Sequence, residues 1–441
     1  MQFSLDQILK MAPDEASAKA GQQLANNAKW VLKCIHPQAL WGDCQGSGKT
    51  PYKTIVDLGN IAFKCSCPSR KFPCKHGLGL LILYAKQPDV FSAEDTLPPH
   101  VSEWLQKREA KEVTKEAAKE TKEDKPVDEA ARAKRADSRE KKVNNGIEEL
   151  RFWIKDVVRT GISNVPQNVY QFNQNITARM VDAQANGLAN QLRLINKIDY
   201  YNEGWQQALI KRLAKIYLIT EAYQQKEKLP ASIAQELQTL IGWTIPKEEV
   251  LQNDAIKDTW IILSITQTDD GNIQTERIWM YGLQSKQFAL LLNFYAGNQR
   301  PQHMLYAGLH LNADVVYFPA LIPLRALIKE HQPLANTTSA ISCPDDINTL
   351  FEKITAQLSQ NPFTEQVPFV LEEMVMILKD DGTWWIKDKN NQGIAIYNAT
   401  DECWLMMAFS KGKTFSFFGV YENETVEIHA LWTNDKKLFL K

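Results

Sequence analysis

The chain has 441 residues, 44% of them apolar and 23% charged, which is too long for one hydrophobic core and too apolar for a wholly disordered chain. Two or three folded units follow, with twelve tryptophans to anchor them. A net charge of −1 gives no global sign of a nucleic-acid or membrane binder, yet Trp41 to Lys86 holds seven basic residues against two acidic ones.

Residues 1–20 lack a basic start followed by a continuous apolar core, so they do not read as a secretory signal. No later run approaches the roughly 20 apolar residues that span a bilayer. The expectation is a soluble, cytoplasmic protein with no membrane partner. In that reducing compartment the seven cysteines are expected as thiols or metal ligands, not as a disulfide framework.

Taken in chain order, residues 1–100 read as short helix, strands, then helix. Thr54 to Leu58 alternates as a strand does, Gly59-Asn60 offers a turn, and Ile61 to Lys64 resumes an extended run. After His76, Leu78, Leu81, Ile82 and Ala85 recur at helical spacing and predict a helix with one buried stripe. Residues 101–145 read as a charged flexible linker, because Lys, Arg, Glu, Asp and Ala dominate and Lys107, Lys111, Lys115 and Lys119 form a like-charged row that opposes a helix.

Residues 146–250 read as a helical domain. Asn145 with Glu148 offers a capping box, Ile147, Leu150, Ile154, Val157 and Val158 mark one face, and Gly161 ends the helix. A longer helix is predicted over Glu203–Gln225 with Trp205, Leu209, Leu213, Ile216 and Ile219 inward, and a shorter one from Ser232 after Pro230. Residues 251–441 read as an antiparallel β-rich domain. Asp270-Gly271 and Asp381-Gly382 each sit between apolar runs as hairpin turns, WLMMAFS, FSFFGVY and VEIHALW read as further strands, and one helix is expected from Asp346 to Leu358.

The sequence from Cys65 to His76 reads C-x-C, six residues, then C-x-H. Residues two apart on an extended chain face the same side, so Cys65 and Cys67 converge, and Cys74 and His76 do the same at the start of the helix. Pro68 and Pro73 restrict the loop between the pairs. Three sulfurs and one nitrogen suit one closed, tetrahedral, structural zinc ion, whereas an iron-sulfur site lacks its fourth cysteine and a catalytic zinc lacks its open position. Lys64, Arg70, Lys71 and Lys75 offset the negative charge of three thiolates.

These residues resemble the SWIM-type zinc finger family over roughly Leu40 to Ala85, through the lead-in WGDCQGSGKTPY and the run CSCPSRKFPCKHGLGLL. They look like bacterial proteins of about this size that carry a single such finger, and the segment ARMVDAQANGLA (Ala178 to Ala189) is also similar to those proteins. The resemblance implies Cys65, Cys67, Cys74 and His76 as metal ligands. It also implies DNA or protein binding, and a genomic neighbourhood of MoxR-like AAA ATPases and von Willebrand factor A proteins.

Two decoys are set aside. Gly42 to Thr50 looks like a phosphate-binding loop, but Gly42 and Gly48 are separated by five residues where that motif needs four, and Pro51 and a strand follow where it needs a helix, so no nucleotide site is assigned there. Cys34 and His36 form a second C-x-H pair without its own C-x-C, and Cys34, Cys44, Cys343 and Cys403 read as buried small residues. The adjacent carboxylates Glu372 and Glu373 would face opposite sides of a strand, and Asp380 and Asp381 belong to a turn.

The reading is thus an α+β multidomain chain with a small ββα-like zinc module (residues 1–100), a charged linker, a helical segment and an antiparallel β-rich C-terminal region. With no catalytic cluster, it is expected to be a non-catalytic interaction module in a protein assembly, with an AAA ATPase system implied by resemblance alone. The alternative is binding of DNA or RNA through Lys49, Lys53, Arg70, Lys71 and Lys75.

Overall fold

Period-two patterning in residues 30–65 has to be closed by neighbouring strands, and the structure supplies them. The computed structural model describes the chain apart from residues 1–4, 47, 49, 59–61, 70, 108–128, 164, 202, 270–272, 297–304, 335–340, 342, 345 and 441. Strands β1 (Trp30–His36), β2 (Ala39–Cys44), β3 (Tyr52–Asp57) and β4 (Ala62–Cys65) pair antiparallel in succession. A short β5 (Ser92–Ala93) adds parallel to β1. The expected hairpin is present as β3 and β4, with its Gly59-Asn60 turn outside the described residues. The sequence reading does not anticipate β1 and β2.

Helix α3 (Lys75–Lys86) lies on one face of this sheet, and α1 (Leu5–Lys10) and α2 (Glu15–Leu24) pack on α3 from the far side. Leu78, Leu80, Leu81, Ile82 and Leu83 are all fully buried, so α3 is covered nearly all round, where the sequence reading gives it a single stripe; Ala85 is exposed. Helix α4 (residues 99–107) covers the opposite face, where Val101 and Leu105 pack on Cys34, Trp41 and Ile55.

The residues read as a linker are helical at both ends. α4 occupies 101–107, and α5 (Glu129–Thr160) starts well before the expected Asn145; Lys111, Lys115 and Lys119 lie outside the described residues. The first turns of α5 carry so many charges that composition alone reads them as tether. Ile147, Leu150, Ile154 and Val157 are buried as expected, but Val158 is 65% exposed, since one helical step turns it about 100° from Val157. Gly161, at φ +88°, ends the helix by donating its N–H to Val157 O.

α6 (Val169–Phe172), α7 (Gln174–Asp182), α8 (Asn186–Arg193), α9 (Trp205–Gln224) and α10 (Ala231–Ile241) complete a bundle with α5, and α11 (Lys247–Val250) follows it. Leu209, Leu213, Ile216 and Ile219 of α9 fill its core with Met180, Leu188, Leu192, Leu237 and Ile241. The segment Ala178 to Ala189 is not one helix, because the chain turns at Gln184 (φ 61°) between α7 and α8.

The β-rich region divides into two sheets. β6 (Ile256–Asp269), β7 (Ile273–Gly282), β8 (Phe288–Ala296), β9 (His310–Tyr317) and β10 (Arg325–Leu334) close into a barrel of order β10-β8-β7-β6-β9. The β9–β10 pairing is antiparallel and β8–β10 is parallel, so the third strand of the barrel meets the fifth, and the fourth returns to the first. That Greek-key connectivity is the OB-type barrel. Trp260, Ile262, Ile278, Met280, Ala289, Leu291, Leu311 and Val315 point inward.

The second sheet contains β11 (Val367–Leu378), β12 (Trp384–Lys387), β13 (Gly393–Ile396), β14 (Phe415–Glu422), β15 (Thr425–Trp432) and β16 (Lys437–Phe439), with the expected helix present as α12 (Ile347–Gln360) and Asp346 as its N-cap. The expected strand WLMMAFS is instead the body of helix α13 (Thr400–Ser410). Cys403, Met406 and Ser410 are buried at spacings of three and four, and Asp401 and Glu402 occupy the first turn; a short apolar run without periodicity does not separate strand from helix. This sheet lies against the outside of the barrel, where Val370, Phe418 and Val420 meet Ile261, Trp279 and Tyr281.

Candidate metal centre

Cys65 is the last residue of β4, paired with Thr54 of β3, and Cys67 follows two residues on at a bend just past the strand. Cys74 is the N-cap of α3 and His76 lies in its first turn, both buried. The end of the strand and the start of the helix therefore meet. The four ligand atoms all lie within 4.8 Å of one another, and Cys65 Sγ is 3.8 Å from His76 Nδ1. Zinc bonds of roughly 2.0–2.3 Å give tetrahedral edges of about 3.7 Å, so side-chain shifts of about 1 Å or less close the cluster on one ion.

Close packing fixes this geometry. A Cβ on Gly77 would stand 2.7 Å from Phe63 Cδ1, so a glycine is needed for α3 to seat its first turn on β4. The Tyr52 ring lies 4.7 Å from that of His76, and Thr54 Oγ1 is 3.4 Å from Cys65 Sγ. Neither Tyr52 nor Thr54 stands out in the sequence. Their signal is register alone, since Thr54 pairs with Cys65.

The donor set suits the metal electrostatically. Hydrogen bonding from Cys65, then from His76 and the Gly77 N–H at the helix start, pulls the Cys74 thiol down to about 4 against the opposing effect of burial. The same bond to Cys74, with burial, pushes Cys65 up, and burial pushes Cys67 up. One thiolate thus shares the protons of its neighbours, and a divalent ion replaces those protons. All four positions are filled by protein ligands, which makes the ion structural.

The other candidate residues do not join this cluster. Cys34 faces Glu94 Oε1 at 3.9 Å and His36 Nδ1 accepts from the Gln38 N–H, so the second C-x-H pair stays apart. Among the described residues no other group of three or more potential ligands converges. Gly42 sits inside β2, and residues 45–51 join two antiparallel strands with no helix following, which is no phosphate loop. Cys44, Cys343 and Cys403 are buried as expected.

The candidate phosphate contacts scatter. Lys49 and Arg70 lie outside the described residues. Lys71 is held by Asp14 at 2.6 Å, and that contact, with the Ser17 N–H, holds the Asp14 carboxyl down at about 2. Asp14 is also the N-cap of α2, so the finger loop is tied to the N-terminal helices by a residue the motif does not include. Lys53 alternates with Thr54 and so points away from the metal, as does Lys64 opposite Ile55; Lys75 is exposed at the start of α3. The described cations thus lie on both faces of the sheet.

Comparison with known families agrees with this geometry. Residues 56–85, from β3 through the four ligands to the end of α3, match the SWIM zinc finger. The chain carries a SWIM-type zinc finger. Residues 138–241 match the SWIM-associated four-helix bundle domain, which places the start of that domain inside α5 and its end at the last residue of α10. No curated protein and no solved structure matches the chain.

Proposed function

We propose that this chain is a non-catalytic, zinc-stabilised interaction module that works within a protein assembly. The observation that carries the reading is how the finger spends its polar groups. Its zinc ligands hold β4 to α3, Lys71 is engaged by Asp14, and Lys53 and Lys64 point to the opposite face from the metal. A finger built to grip a phosphate backbone presents its cations on one face. Here the metal and the nearest charge serve the module's own fold, and the attached bundle and β-rich region offer extensive surface for a protein. The resemblance to proteins encoded near MoxR-like AAA ATPases makes such an ATPase the partner to test.

The alternative, DNA or RNA binding through the finger, rests on the local excess of basic residues. A salt series with purified zinc-loaded protein separates the two. The assembly reading expects no finger-dependent binding of duplex DNA or RNA at low ionic strength, and co-sedimentation with a MoxR-like AAA ATPase that is lost with the zinc ligands. Salt-sensitive nucleic-acid binding abolished by Lys53→Gln with Lys75→Gln would overturn it.

A further inference from the structure

An OB-type barrel takes ligands on its second and third strands and on the loop between its fourth and fifth. Fold analogy says only where to look; the side chains there carry the argument. In this chain the upper part of that face is sealed, because Trp279 and Tyr281 lie beneath Phe418 and Phe288 of the barrel's third strand is stacked on the same Phe418. The lower part is open. A cleft of about 690 Å³ runs there between the barrel, the end of the helical bundle and α12, floored by Arg277 of β7, Phe288 of β8 and, around the β9–β10 loop, Phe318, Pro323 and Arg325.

Four cations line it: Arg277, Lys286, Arg325 and Lys353. Three carboxylates line it too, each held by neighbours other than the four cations, while Arg277 donates to Gln366 Oε1. Glu365 is paired with Arg212 and Lys215 of the bundle, Glu236 accepts from the Leu321 N–H and Asn361 Nδ2, and Glu422 accepts from Gln366 Nε2 at 2.8 Å. Among the described residues none of the four cations is in an ion pair. Arg325 sits over Phe318, its guanidinium carbon 4.3 Å from the ring centre, while Lys353 donates to Pro368 O and sits 4.9 Å over Phe288. Burial pushes both groups below their ordinary values, Lys353 to about 8.

Two half-buried cations outside any ion pair carry a desolvation cost that a bound anion would offset. We infer that this cleft binds a phosphate-bearing ligand of nucleotide size, with the Arg325 and Arg277 guanidinium groups and the Lys353 ammonium on its phosphate oxygens. The planar forks suit phosphate, several positive charges suit a polyanion better than a single carboxylate, and the volume falls within the ordinary range for small-ligand sites. The phosphate could belong to a free nucleotide or to the end of a short single strand. The site is remote in sequence from the finger and independent of the function proposed above.

The test is calorimetric titration of the full zinc-loaded chain at low ionic strength with inorganic pyrophosphate, adenosine diphosphate and an octathymidylate, using wild type, Arg325→Gln and Lys353→Met. Each substitution is expected to weaken binding by roughly tenfold to a hundredfold. Lys353→Met is expected to melt no lower than wild type, so its loss of binding is not a folding defect. A free-nucleotide site favours adenosine diphosphate and releases it to pyrophosphate; a strand-end site favours the octathymidylate. The finger variants Lys53→Gln and Lys75→Gln should leave binding unchanged, so failure here is distinct from failure of the assembly reading. Absence of binding by all three probes, or equal binding to wild type and both cleft variants, would overturn the inference.

Discussion

Gly187→Ala is expected to destabilise the helical bundle by about 3 kcal/mol, near the upper end of the range for an added methyl group in a packed interior. A Cβ at this position would stand 2.1 Å from Leu240 O, 2.8 Å from Ile241 C and 2.9 Å from Leu240 C. All three are backbone atoms, so no side chain can swing aside. An ordinary contact begins at 3.4 Å, and α8 must therefore move away from the end of α10 by more than 1 Å. Leu188 and Leu192, both fully buried, ride on α8. A gap of roughly 1 Å forfeits a quarter or more of the dispersion energy of a buried leucine, about 1.5 kcal/mol for each of the two. The assay is urea unfolding of the full chain read by hydrogen exchange on bundle peptides, since several domains unfold in one sample. Wild-type protection in α8 and α10 of the variant would show that the helices are not in backbone contact, and the reasoning would fail.

Cys74→Ala should remove the one zinc per chain and the exchange protection of β4 and α3, while α9, which belongs to a separate core, keeps its protection; a full complement of zinc in that variant would refute the ligand assignment. Arg139→Ala should cost the bundle about 2 kcal/mol, because Arg139 donates to Gly242 O and Gln184 O and covers Trp243 at 4.2 Å; a loss under about 0.5 kcal/mol by urea unfolding would count against that clamp. Lys353→Met should stabilise the chain at neutral pH. The folded value of Lys353 is about 8 against an ordinary 10.5, so between those two values the unfolded state holds a proton that the native state has released, and the lysine's contribution to stability rises with pH across that window. The advantage of the methionine variant should accordingly be largest below pH 8, at most about 3 kcal/mol, and shrink towards pH 10.5; a difference that stays constant with pH in paired urea titrations would contradict the cause assigned.

What could be read in advance was local. The four zinc ligands fall within twelve residues, so spacing alone brings them together, and the long stripe of α9 predicts its own buried face. Features set by distant pairing were not legible. Nothing between Ile256 and Leu334 states that β8 meets β10 and β9 returns to β6, because each strand's alternation is satisfied by any neighbour. WLMMAFS misled for a related reason: its seven residues are apolar nearly throughout, and burial of Cys403 and Met406 is decided by the sheet they pack on. Arg139 sits in a run of charges that reads as tether, although Gly242, a hundred positions on, gives it its task.

Charge was the most misleading signal, and the structure shows why. A count along the sequence assigns significance to the finger, where basic residues crowd together. Yet Lys71 there is matched by Asp14, and Lys53 and Lys64 turn away from the metal side. The cleft gathers Arg277, Arg325 and Lys353 from three separate elements, each isolated in its own stretch of sequence; among the described residues none of them is in an ion pair, although Arg277 donates to Gln366 Oε1 and acts on Glu427 from a distance. What marks a candidate site is half-buried charge outside any ion pair, and that arrangement exists only once α12 and the β9–β10 loop have been brought against β7. The zinc ligands secure the finger's own fold, and half-buried cations outside any ion pair gather instead in the cleft beside the barrel.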